Sequence, residues 1–479
     1  MTALDTLTPS AGAATPTRNP WRWVVFGVVF AANIMDILDA TIVNVAGPAI
    51  HGDLGGGAST IQWLSAGYTL AFAVLLIAGA RLGDILGRRR LFLVGSAGFT
   101  AFSALCAVAP DVGTLIAFRA LQGAFGALMI PQGFGLMREV FDEEEFGKAT
   151  NLFGPSMALP MLGAPILAGF LVDADLWGTG WRLVFLINVP IGVVCFALAL
   201  KSLPRGASHP GMKLDIPGVW LIGLALVALI YPLIQGQPAG WPAWTYALIG
   251  LGLVLLFAFY RWEKGRTENA LIEPSLLTNR NYLSGIAVVL ALFGAFSGVL
   301  LCVSLYGQLG EGWSPIHAGL ALTPMIVGMV IGMVVGTALV NRFGRHVLHL
   351  GLVVIAVGTA TMALTVAGGP AATSWDLAPG LLLIGAGAGA SFGQLFQFVL
   401  TSVTMREVGS ASGVMEATQQ LSTSLGVAVL GTIFLSGFGD RPPTHALEVT
   451  AWACLVPLAA AFALVFRLPM RPRPEVEAA

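Results

Sequence analysis

Apolar residues along this chain gather into runs of roughly twenty, separated by short stretches holding charge, proline and glycine. The hydrocarbon core of a bilayer, roughly 30 Å thick, takes about twenty residues of helix to cross. Helices satisfy their own backbone groups there, which open strands cannot. The runs predict spans at 24–48, 60–80, 91–110, 112–136, 148–172, 183–203 and 214–235. A second seven follow at 242–262, 281–309, 316–340, 346–368, 377–401, 410–437 and 447–467. The expected fold class is therefore all-α: a polytopic membrane protein of fourteen transmembrane helices. Composition agrees, because only 10% of residues are charged, against about 25% in a soluble domain, so much of the surface must face lipid.

The placement of charge tests the count. With an even number of spans and both termini cytoplasmic, all but three of the 24 basic residues fall in inner segments. Arg182 and Arg441 lie outside and Arg119 within a span. Cytoplasmic loops are the ones rich in Lys and Arg, and dropping one span would scramble the alternation. The loop LGDILGRRR (82–90) after the second span is echoed by LVNRFGRH (339–346) after the tenth. Two six-span halves would place such loops after spans two and eight. The offset predicts two six-helix pseudo-symmetric bundles with two inserted helices between them, on the repeated plan common in transporters. The divisions expected are a disordered cytoplasmic tail (1–22), an N-terminal bundle (23–205), the extra pair (206–265), a C-terminal bundle (266–469) and a cytoplasmic tail (470–479).

Several stretches, in order and on the right spans, resemble the major facilitator superfamily, specifically its fourteen-span drug:proton antiporter family. LDATIVNVAGPAI (38–50) is similar to that family's LDxTIVNVALP, and ARLGDILGRRR (80–90) to the cytoplasmic signature GxLaDrxGrr. FRALQGAFGALMIP (118–131) resembles RxxQGxGaA. PMLGAPILAGFL (160–171) resembles the antiporter signature GxxxGPxxGGxL, with Ala164 and Ala168 replacing glycines. WRLVFLINVPIG (181–192) and LDIPG (214–218) look like its sixth and seventh spans. The resemblance implies proton-driven export by alternating access. It also implies that Asp84, Gly87, Arg88 and Arg89 form a cytoplasmic gating loop, and that Pro165 and Gly169 mark an antiporter-like fifth helix.

Charge inside a membrane is expensive and tends to face a cavity or a partner. On the first span Asn33, Asp36, Asp39 and Asn44 share one face at 100° per residue, with Ile34, Leu38, Ile42 and Val45 opposite. The span is expected to show a polar face and a lipid face. Asp39, at the family's acidic position, and Asp36 are the candidates for taking up and releasing a proton; each could instead bond a neighbouring helix. Arg119 shares its face with Gln122, Gly123 and Gly126, and by depth it can reach Asp39. That pair is either a switch or a permanent ion pair. In span thirteen Ser412, Glu416, Gln419, Gln420 and Thr423 share a stripe, where the family more often carries Asn and Arg in place of Glu416 and Gln419. Glu416 is a candidate second proton or cation site, or a satisfied carboxyl. Gln394 and Gln397 on span twelve are cavity candidates, along with Asn33, Asn44, Gln122 and Gln420. The rows Gly328, Gly332, Gly336 and Gly385, Gly389, Gly393 are small-residue packing stripes. The acidic run Asp142–Glu145 is expected in a solvated loop.

Net charge is −1 with no basic stripe, so no nucleic-acid partner is expected. The phosphate loop GxxxxGK[ST] is absent, as are HExxH and GxSxG, so neither an ATP motor nor an enzyme is expected, and no cofactor or metal. Cys106, Cys195, Cys302 and Cys454 read as packing residues. The expected partners are a small molecule, protons and the bilayer. The expected function is export of hydrophobic drugs or natural products, cations included, from a cytoplasmic membrane; a metabolite carrier on the same fold is the alternative. A ratio of 20 Arg to 4 Lys suggests a bacterial source.

Overall fold

The computed structural model describes residues 20–57, 59–205, 213–266, 270–367, 372–404, 407–438 and 441–471. The expected tails fall outside these except at residues 20–22 and 470–471, as do Arg18, Arg406, Arg473 and His209. The chain is a succession of helices: α1 (Arg22–Leu54), α2 (Thr60–Leu86), α3 (Arg88–Ala107), α4 (Val112–Val140), α5 (Glu143–Asp173), α6 (Gly180–Ser202) and α7 (Ile216–Gln235). Then come α8 (Ala243–Lys264), α9 (Arg280–Gly310), α10 (Pro315–Phe343), α11 (His346–Ala367), α12 (Ser374–Leu400), α13 (Val408–Gly437) and α14 (Pro443–Val465). Among the described residues thirteen are long and apolar enough to cross a membrane. The fourteenth expected span, 148–172, falls within α5, where many side chains lie outside the described residues.

Short polar residues start several of these helices, answering the unsatisfied N–H groups of a first turn. Asp111 accepts from Thr114 N at 2.9 Å, Asp215 from Gly218 N at 3.2 Å, and Thr373 forms a capping box with Asp376. The acidic run proves to be a helix start rather than a solvated loop. Asp142 caps α5 by accepting from Glu145 N at 2.8 Å, and Glu145 pairs with Arg22 at 2.8 Å. Negative charge at a helix N-terminus is favoured by the helix dipole. The two echoed loops turn alike: α2 stops at Gly87 with φ 95° and α10 at Gly344 with φ 55°, a region costly for any side chain.

The packing repeats with an offset of eight helices. In the first half α2 and α3 pack on α4, α1 on α5, and α3 and α1 on α6; in the second, α10 and α11 pack on α12, α9 on α13, and α11 and α9 on α14. The halves meet reciprocally, α2 against α13 and α5 against α10. The pair α7–α8 packs on itself, and α7 also touches both α2 and α13. Tyr246, Leu253, Val254 and Phe257 leave α8 with an exposed apolar face. The small-residue rows interlock. A Cβ on Gly332 would lie 1.9 Å from the Ala386 carbonyl oxygen, and one on Gly385 1.9 Å from that of Met325. Gly393 departs from its row, with nothing within 4 Å.

Helix α1 corrects an expectation. Leu38, Ile42 and Val45, assigned to a lipid face, are buried, because α2, α5, α6 and α9 surround this helix. An amphipathic pattern marks two faces; it does not say that the apolar one meets lipid.

Candidate functional site

The polar face of α1 meets α2, α4 and α6 in a sealed cluster. Asp39 and Arg119 are both fully buried, at 0% exposure, and the Arg119 Nη1 donates to the Asp39 carboxylate. The same nitrogen donates to Gln122 Oε1 at 2.8 Å, and Arg119 Nε donates to the Leu64 carbonyl at 3.2 Å. The other Asp39 oxygen accepts from Gln122 Nε2 and from Asn188 Nδ2, each at 3.0 Å. Asn188 Nδ2 also donates to Ser103 Oγ at 3.3 Å. Such a pair, bonded on every side, is the form in which buried charge is tolerated. One turn before Asp39, Asp36 is 6% exposed and accepts from the Tyr68 hydroxyl. The Tyr68 ring lies beneath Arg119, whose guanidinium carbon is 4.3 Å from the ring centre. Glycine makes this possible: a Cβ on Gly123 would sit 2.2 Å from the Tyr68 carbonyl oxygen.

Glu416 on α13 is half-buried and close enough to Asp36 for their charges to interact. The next residue, Ala417, is part of the first half's hydrophobic core, which also holds Met35, Tyr68 and Phe72. An acid from each half thus borders the seam between them. At the end of this seam away from the basic loops, Gln62 Nε2 donates to the carbonyls of Val427 and Ala428 at 3.1 and 3.2 Å and to Thr432 Oγ1 at 3.1 Å. Thr432 Oγ1 in turn donates to Leu233 O on α7 at 2.9 Å. The second seam closes at the same end through close backbone approach. A Cβ on Gly169 would sit 2.4 Å from Pro315 O, and one on Gly319 2.4 Å from Pro165 O. In the last turns of α9, Ser304 Oγ donates to Asn44 O and Gln308 Nε2 to Val45 O, both at 3.0 Å.

The polar cavity candidates scatter. Gln122 belongs to the sealed cluster. Asn33 donates to Val29 O in its own helix at 2.9 Å, and Gln394 donates to Thr337 Oγ1 at 3.2 Å. Asn44 is buried, Gln420 half-buried and Gln397 exposed. A small cavity between the halves is lined instead by Thr41, Pro165, Phe296, Leu300, Met325, Ile326 and Met329. None of the six polar candidates lines it, because a shared helical stripe fixes a direction and not what lies in that direction. Tyr68, Ser103 and Asn188 escaped the sequence reading. The one signal available was a polar side chain at bilayer depth in an otherwise apolar run.

In the expected gating loop Arg88 pairs with Asp84 at 3.0 Å and approaches Glu139 on α4 at 3.7 Å. Arg89 Nη2 donates to Leu200 O at the end of α6, at 2.7 Å. These contacts tie α2, α3, α4 and α6 within the first half. All four cysteines are buried.

The family model of the Major Facilitator Superfamily matches residues 29–427. A probable actinorhodin transporter from Streptomyces coelicolor is 48% identical, over 90% of this chain and 76% of its own. A puromycin resistance protein from Streptomyces alboniger is 34% identical, over 91% and 87%. A tetracenomycin C resistance and export protein from Streptomyces glaucescens is 31% identical, over 91% and 80%. Among solved structures, an auto-inhibited peptide transporter of the POT family shares the fold with a TM-score of 0.67 at 14% identity, covering 94% of this chain and 98% of that one. The chain is a multi-pass protein of the bacterial cell membrane. It belongs to the Major Facilitator Superfamily, among that superfamily's drug-efflux transporters.

Proposed function

We propose that this protein exports hydrophobic antibiotics or related natural products in exchange for protons, doing no chemistry on its cargo. The observation that carries the reading is the sealed Asp39–Arg119 pair in a chain whose relatives are antibiotic exporters. A carboxylate held by three donors sits where protonation would remove its charge and free Arg119 to bond elsewhere. A proton entering down a 100 mV potential supplies roughly 2.3 kcal/mol per charge.

Residues 23–205 and 266–469 are the halves that rock, with 206–265 an added pair seated against one seam. The basic end is cytoplasmic, so the closed seams described above block the outer side. Asp36 and Glu416 face the path between the halves and select for cargo with cationic character. Gly169, beside Pro165, keeps α5 close to α10 as the halves move.

The test is efflux of ethidium, a fluorescent lipophilic cation, and of puromycin from everted membrane vesicles, with and without a protonophore. Wild type stops transporting when the protonophore is added, and Asp39→Asn transports neither probe. Glu416→Gln loses ethidium transport by about tenfold while puromycin falls less. Transport indifferent to the protonophore, or a fully active Asp39→Asn, would falsify the reading.

A further inference from the structure

A sealed pair raises a problem of access. Asp39 and Arg119 have no exposed surface, and both Asp39 oxygens are already bonded. Asp36 lies on the same helix as Asp39, one turn closer to the basic end, and it keeps some exposure. One side chain touches both Asp36 and the pair. Tyr68 donates its hydroxyl to Asp36 and lays its ring beneath Arg119, 4.3 Å from the guanidinium carbon. It is fully buried and wedged: a Cβ on Gly126 would lie 3.3 Å from its hydroxyl oxygen, and Phe72 and Phe99 flank its ring at 6.1 and 6.4 Å between centres. The ring therefore cannot move at one end without moving at the other.

We infer that Tyr68 is a positioning residue that joins Asp36 to the Asp39–Arg119 pair, so that a proton arriving at Asp36 is felt by the sealed pair. An ionised Asp36 only accepts, so it fixes the Tyr68 O–H towards itself. A protonated Asp36 carries its own O–H and no longer demands the phenol's. The proton comes from water and stays on the Asp36 carboxylate; the phenol keeps its own. The ring then re-seats, and its contact with Arg119 changes. A desolvated cation–π contact depends on ring position, and here it is made to the same guanidinium that holds the ion pair. The charged and titratable groups facing Asp36 are Asp39 on its own helix, Tyr68 on α2, Arg119 on α4 and Glu416 on α13. The inference rests on the proton-exchange reading above, but it can be tested without any cargo.

Hydrogen–deuterium exchange of the full chain in lipid nanodiscs, corrected for intrinsic rates, reads the response of residues 115–126 to pH, between about 5.5 and 8. In wild type, exchange there changes by about threefold or more between the two. Asp36→Asn holds one pattern at both. Tyr68→Phe keeps the ring under Arg119 but has no hydroxyl, and its pH response is lost while its Tm stays within about 3 °C of wild type. A wild-type-like response in Tyr68→Phe, or no response in the wild type, overturns the inference. Should Tyr68→Phe fail to fold, a pH response persisting in Asp36→Asn overturns it equally. Since vesicle efflux is measured separately, protonophore-insensitive transport would sink the exchange reading and leave a positive nanodisc result standing.

Discussion

Helices α4 and α12 hold equivalent places in the two halves, and one frame serves both. Counted from their capping residues, Asp111 and Thr373, Gly123 of the first matches Gly385 of the second. A Cβ on Gly123 would lie 2.2 Å from the Tyr68 carbonyl oxygen, and one on Gly385 1.9 Å from that of Met325. The same count sets Arg119 against Leu381 and Gln122 against Ile384, and all four are buried. Close backbone approach is thus duplicated, and charge is not. The fold needs the glycine contact in both halves. It does not need the ion pair, since the second half packs the matching site with aliphatic residues. A feature that is costly to bury and dispensable for packing is kept for what it does.

The largest effect comes from unbalancing that pair. Arg119→Leu leaves Asp39 an uncompensated buried charge, and such losses cost about 3–5 kcal/mol. The variant should melt well below wild type and should not concentrate cargo. Replacing Asp39 and Arg119 by Leu together with Gln122→Ile gives the first half the second half's apolar chemistry. Buried ion pairs exchanged for well-packed apolar groups are often neutral in stability, and Asn188 keeps its bond to Ser103. The triple variant should regain most of the lost Tm and none of the transport. A triple variant that still exports uphill would show that the charges are structural after all.

Packing in the second half gives a smaller effect. Gly385→Val drives a side chain into the Met325 backbone, whereas Gly393→Val enters space with no atom within 4 Å. Overpacking typically costs about 1–3 kcal/mol, so Gly385→Val should lower the melting temperature and Gly393→Val should leave it near wild type. Equal behaviour of the two would mean that the row does not set the spacing of α10 and α12.

Much of this frame was legible in the sequence because bilayer crossing imposes a length, and loop charge an alternation, that local context cannot override. Asp39 and Arg119 were matched to each other by depth: two intramembrane charges of opposite sign on different spans have few better options than each other. The rest depended on what each face meets. Leu38 and Ile42 looked lipid-facing and are enclosed, since nothing in a single helix's pattern reports how many neighbours it has. Gln397 shares a stripe with Gln394, yet one is exposed and the other buried. Tyr68 and Asn188 are uncharged, so no burial cost singled them out, although one carries the link to Asp36 and the other completes the Asp39 shell.

The smallest effect sharpens the contrast from the wet side. Glu407 lies outside the spans at the start of α13, where the Ser275 hydroxyl donates to it and Thr404 donates through N at 2.9 Å and Oγ1 at 2.7 Å. The Ser275 bond first, then those from Thr404, hold its carboxyl below the ordinary glutamate range. A carboxyl so depressed adds stability above its unfolded pKa and loses it as pH falls through the folded one. Water reaches this group, so its contribution is screened to a few tenths of a kcal/mol. Ser275→Ala should therefore lower Tm slightly at neutral pH, and the gap from wild type should close on acidification. The Asp39 carboxylate likewise accepts from three donors, but without water its bonds decide whether the cluster holds together. A Ser275→Ala loss as large as that of Arg119→Leu would mean that donor count, rather than exclusion of water, sets what these carboxylates are worth.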